Sequence, residues 1–207
     1  FLPTGVADKS AAAMKLGRVD AWASVDVHYS LAQAQGFEFR FIPYGKFLDD
    51  LFDNLIWVNQ KFFRQNRQAV VGYLHGLAKG SIFFYTNVDA SLQIHWTLYP
   101  ESLPKGMSRE EAMRIYRKVL ESRAPKLQLA KGQSRFGEFS EKKWEAYVKF
   151  LNLENQIPME KVKTLWTNDL IAEANNFDPR QIEHQARTFN FEAALKKYKE
   201  RMAARGN

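Results

Sequence analysis

The chain of 207 residues contains no cysteine. Disulfide cross-links, thiolate metal sites and a cysteine nucleophile are therefore excluded. No stretch approaches the ~20 consecutive apolar residues that a membrane span needs. His75, His95 and His184 fall on separate predicted helices, and no pair has ligand spacing, so no shared metal site is expected. There is no initiator Met and no signal peptide. The opening Phe-Leu-Pro reads as the end of a strand, so the chain is expected to begin in mid-fold. No internal repeat and no low-complexity tract is present.

What the chain does contain is apolar and aromatic. Hydrophobic residues make up 45%, with 16 Phe, 8 Tyr and 5 Trp. That is enough for one sizeable core or two small lobes packed through rings. The formal net charge is +7. Lys and Arg are scattered and interleaved with Glu and Asp, the pattern of a solvated surface, and no nucleic-acid partner is expected.

The organising stretch is residues 17–29, GRVDAWASVDVHY. It predicts a helix ending at Gly17, an apolar strand over residues 19–25, and a new helix capped by Asp26 and closed by Gly36. The first helix, residues 6–16, carries Ala7, Ala11 and Met14 on one face, with Thr4 or Asp8 as its cap. Residues 37–42 alternate apolar and charged, the period of a half-exposed strand. Residues 44–53 read as a connection between lobes, and residues 54–58 (NLIWV) as a buried strand. Helices follow from Lys61 onward. Residues 67–87 carry the stripe Val70, Leu74 and Leu77, and Gly72, Gly76 and Gly80 form a row read as a packing groove. A further helix covers residues 88–99. Ser108 with Glu111 forms a capping box ahead of Ala112, Ile115, Tyr116 and Val119. Ser140 caps a helix whose Trp144, Tyr147, Val148 and Leu151 face the core, with Phe139 and Trp144 as a hydrophobic staple. Thr167 caps residues 168–175. Asp178-Pro179 opens a helix with Ile182, Ala186 and Phe189 inward. Residues 191–205 form a basic final helix.

With these elements placed, three stretches carry a family resemblance: residues 11–23 (AAAMKLGRVDAWA), residues 53–58 (DNLIWV) followed by 62–70 (FFRQNRQAV), and residues 166–171 (WTNDLI) through 175–178 (NNFD). In this order and spacing, the sequence resembles the substrate-binding proteins of ABC importers for nitrate, sulfonates, taurine and pyrimidines. That family also includes the thiamine-pyrimidine synthases. The resemblance implies an α/β fold of the periplasmic-binding-protein type, two lobes closing on a ligand, incomplete at its N-terminus and helix-rich in its C-terminal half. Residues 1–45 would be the remainder of the second lobe, and residues 46–207 the remainder of the first lobe with the C-terminal helices.

In such a cleft, strand ends and helix starts supply the contacts. Helix N-termini offer unpaired N–H groups and a positive dipole end. Two helix starts would face it, which makes Thr4, Gly5, Ser24, Val25, Asp26, His28 and Tyr29 the candidate ligand-binding residues. Val25 and Val27 depart from the pattern of the sulfonate binders, which often have an aromatic residue and a proline there. The expected function is capture of a small polar or anionic organic solute outside the cytoplasm, without catalysis and without a cofactor. The closed form would dock on an ABC permease in the membrane. A monomer is expected, or a dimer if sheet edges are exposed. Two alternatives compete. One is an enzyme like the pyrimidine synthases, against which the missing cysteines of their iron-site motif speak directly. The other is a truncated ligand-sensing or interaction module.

Overall fold

The structure, a computed structural model, describes residues 3–5, 7–43, 51–52, 54–129 and 131–205. The structure is helical, at 62% helix, and no strand occurs among the described residues. The expected α/β two-lobe fold of the periplasmic-binding-protein type is thus corrected to a helical one. Residues 19–25, 37–42 and 54–58 have strand-like composition but lie in irregular backbone. The physical reason is that a strand exists only when a neighbour takes up its N–H and C=O groups. No described segment does so. The connection expected at residues 44–53 falls almost wholly outside the described residues.

The helices are α1 (Ala7–Lys15), α2 (Asp26–Ala34), α3 (Gln60–Gln65), α4 (Arg67–Thr86), α5 (Val88–Leu98), α6 (Arg109–Arg123), α7 (Glu141–Phe150), α8 (Ile171–Ala174), α9 (Pro179–Arg187) and α10 (Phe191–Arg205). Their ends follow local chemistry. Gly17 (φ 65°) closes α1, with the Arg18 N–H reaching the Ala13 carbonyl at 2.9 Å and the Gly17 N–H reaching Met14 at 2.9 Å. Gly36 (φ 90°) closes α2 in a similar way, with Phe37 N–H to Ala32 O at 3.0 Å. Both positions need a left-handed backbone that glycine adopts without steric cost. Ser108 accepts from the Glu111 N–H at 3.1 Å, and Asp178 accepts from Arg180 N–H at 3.0 Å ahead of Pro179. Ser140 precedes α7 but makes no side-chain cap. Thr167 accepts from Asp169 N–H at 3.1 Å, and the helix beyond it shrinks to α8.

The chain forms two compact units. The first comprises Phe1–Phe39, Ser81–Gln128 and Asp178–Asn207. In it α2 packs on α1 and α6, α5 on α6, and α10 on α5. Its core cluster is Leu92, Trp96 and Ala112, and Trp96 meets Tyr116 edge-on at 5.7 Å. The second comprises Arg40–Gly80 and Leu129–Phe177. One of its clusters joins Val70 and Val71 of α4 to Leu170. The other gathers Trp144, Val148 and Val162, with Phe52, Phe139 and Tyr147 packed around them. Leu77 and Leu151, expected inward, are exposed.

The glycine row of α4 does not form a packing groove. A Cβ built on Gly72, Gly76 or Gly80 meets nothing within 4 Å. Each glycine therefore costs helix propensity with no packing gain in return. Gly72→Ala and Gly76→Ala are each expected to stabilise the protein by about 0.5–1 kcal/mol. Urea unfolding followed by circular dichroism checks this. A loss of stability would show that a backbone does approach the row.

Candidate functional site

The predicted site residues divide into two local groups within the first unit. Thr4 and Gly5 belong to the start of α1. Thr4 Oγ1 lies 2.7 Å from the Ser10 hydroxyl, which is itself within 3.3 Å of the Gly5 carbonyl. Ser10 is buried at 2% exposure or less, so this trio shapes the turn into α1. Its hydroxyls bond each other and the backbone.

Ser24, Val25, Asp26, His28 and Tyr29 converge at the start of α2. The segment before it is held by aromatic packing. Trp22 meets Tyr29 edge-on at 4.9 Å and Phe39 at 6.1 Å. The Tyr29 hydroxyl accepts the Ser24 N–H and donates to the Trp22 carbonyl at 3.3 Å. One tyrosine thus fixes the backbone on both sides of Ala23. Ser24 Oγ and His28 Nδ1 then lie 2.7 Å apart, a bond whose donor is set by the imidazole tautomer. Ser24 is exposed and His28 half-buried, so hydroxyl and ring edge both reach solvent.

The cap differs from expectation. Val25, in extended backbone and 53% exposed, occupies the N-cap position, and no side chain caps the first turn from it. Asp26 sits one residue further in. Its Oδ1 accepts from Val27 N–H at 2.8 Å and from Arg123 at 2.7 Å, and its Oδ2 accepts from Lys126 at 2.5 Å. Ser30 and Ser122 hydroxyls meet at 2.9 Å in the same α2–α6 contact. One carboxylate thus stands against two cations beside the positive end of α2. The local field there favours an anion. Arg123 and Lys126 escaped the sequence reading because 97 and 100 residues separate them from Asp26.

Burial acts to raise the Asp26 carboxyl. The hydrogen bond from Lys126, the charge of Arg123 and the Val27 N–H together outweigh it and hold the group below its ordinary value of 3.8. A lowered folded-state value stabilises the fold above the unfolded value and loses that contribution as pH falls through the folded one. The α2–α6 contact is therefore expected to weaken below about pH 4, and Asp26→Asn to remove that part of the acid transition. Thermal midpoints measured from pH 7 to pH 2 for both proteins check it. Identical pH profiles would refute it.

The remaining histidines have separate surroundings. His75 Nδ1 lies 3.1 Å from the Ala174 carbonyl, and its ring meets Phe177 edge-on at 5.2 Å. His95 packs on Tyr99, and His184 is exposed on α9. No group of three or more potential metal ligands occurs among the described residues. No described helix is long and apolar enough to cross a membrane.

A recess of another kind lies in the second unit. Ile56, Trp57, Val58, Phe62, Val70 and Tyr73 line an open groove of about 460 Å³. It is apolar and contains none of the predicted site residues. The buried strand expected over residues 54–58 is instead an exposed rim, with Trp57 at 78% exposure.

No family model, no curated protein and no solved structure matches the chain.

Proposed function

We propose that the protein is the extracytoplasmic solute-binding component of an ABC importer. It takes up a small polar or anionic organic solute at the start of α2 and passes it to a membrane permease. The observation that carries this is the accessible Ser24 hydroxyl and His28 ring, brought together at the start of α2. The positive dipole end of α2 adds a field that favours an anionic group there. The paired cations Arg123 and Lys126 add to that field. The order of the three resembling stretches supports the same function. With no sheet among the described residues, the contacts come from a helix start, a hydroxyl and an imidazole rather than from strand ends.

A thermal-shift screen over nitrate, sulfonates, pyrimidines and aromatic acids tests it. At least one ligand is expected to stabilise the protein, by about 2.7 kcal/mol at a hundredfold excess over Kd. Ser24→Ala and His28→Ala should each weaken that ligand about tenfold, or ~1.4 kcal/mol. Stabilisation by none of them would overturn the proposal. The exposed apolar residues around Trp57 favour one competing function, a ligand-sensing or interaction module.

A further inference from the structure

The groove beside Trp57 is built differently from the α2 site. Ile56, Trp57 and Val58 are exposed in sequence, and Phe62 of α3 and Tyr73 of α4 are about half exposed next to them. Among the described residues, the backbone N–H and C=O groups of residues 54–58 make no hydrogen bond. Leu-Ile-Trp-Val is a composition that favours strand pairing. An apolar segment with unpaired backbone groups is a template for another strand.

We infer that this groove is a self-association face. A second copy lays its own residues 56–58 antiparallel to those of the first, about a two-fold axis that passes through a facing, non-hydrogen-bonded pair of Trp57 residues. Three observations favour a second copy over other occupants. First, an antiparallel pair related by a two-fold axis needs only one kind of edge, so one segment satisfies itself. Second, every residue lining the groove is uncharged. An identical face therefore brings no like charges together, and a charged partner would find no counter-charge there. Third, the exposed parts of three aromatic rings plus Ile56 and Val58 amount to roughly 600 Å² per copy, close to the ~800 Å² per partner of a standard interface. The net charge of +7 on each copy opposes approach at long range. Salt screens that repulsion but leaves the apolar contact intact, so association should strengthen with ionic strength.

Sedimentation equilibrium of the full chain at 50 mM and 500 mM NaCl tests this. A dimer is expected, with Kd at least several-fold tighter at the higher salt. Trp57→Lys places two like charges across the axis, and Val58→Pro removes one N–H from the pair. Both should weaken the dimer at least tenfold while leaving the helical circular dichroism spectrum unchanged. Trp57→Lys is tolerated by the monomer because the ring lies mostly in solvent. A wild-type protein that stays monomeric at both salts, or a dimer that survives both substitutions, would overturn the inference.

Discussion

Trp144→Ala is expected to destabilise the second unit by about 3–5 kcal/mol, the usual cost of deleting a large buried ring. Trp144 is 4% exposed and sits at the hub of the aromatic cluster. Its ring lies 4.9 Å from Phe52, 5.6 Å from Phe139 and 6.1 Å from Tyr147. These neighbours come from the segment before α3, the loop before α7 and α7 itself. Removing the hub strips contacts from all three, and rings held from different segments cannot all collapse into the space left. Trp144→Phe should cost much less than the alanine change. It keeps most of the ring area, and it removes an indole N–H that is buried without a hydrogen-bond partner among the described residues. Urea unfolding of the three proteins, followed by far-ultraviolet circular dichroism, measures the series. An alanine variant within 1 kcal/mol of wild type would refute the hub role.

Asn175→Ala carries the next largest expected effect, a loss of about 2 kcal/mol. The Asn175 amide takes the Phe136 N–H at 2.9 Å and donates to the Phe136 carbonyl at 3.0 Å and the Ile171 carbonyl at 2.8 Å. Asn168 does the same for Phe139, accepting from its N–H at 2.9 Å and donating to its carbonyl at 3.0 Å. Two side-chain amides therefore do for residues 136–139 what a neighbouring strand does in a sheet. Alanine at 175 leaves the Phe136 N–H and carbonyl short of a partner in a half-buried loop, while the Ile171 carbonyl keeps the Asn175 backbone N–H at 3.1 Å. Asn175→Asp keeps the acceptor and loses both donors, so it should not rescue the variant. Hydrogen exchange at Phe136 provides the local readout. Unchanged protection there in Asn175→Ala would show that the clip is dispensable.

The start of α2 was legible where its contacts are close in sequence. Ser24 and His28 are four residues apart, and the extended segment feeding α2 brings them together directly. Asp26 was recognised as a helix-start residue, but its occupation by Arg123 and Lys126 was not, because nothing local to either partner marks the pair. Thr4 and Gly5 were grouped with Ser24 as cleft residues. In the structure they bond to Ser10, which has no signature of its own within an alanine-rich helix. Trp57 was expected in a buried strand, and the structure leaves it in solvent.

By itself the sequence determined most helix boundaries, though not the cap of α2 or the extent of α8. Gly17, Gly36, Ser108 and Asp178-Pro179 each act within a few residues, and an α-helical hydrogen bond closes over four. Tertiary structure alone decided what becomes of the apolar stretches between them. Residues 19–25, 37–42 and 54–58 carry strand-like patterns, yet a strand is a property of a pair, and its hydrogen bonds lead to a partner that no local pattern names. Without that partner the same residues form a ring-packed approach to α2 and an exposed apolar rim at Trp57.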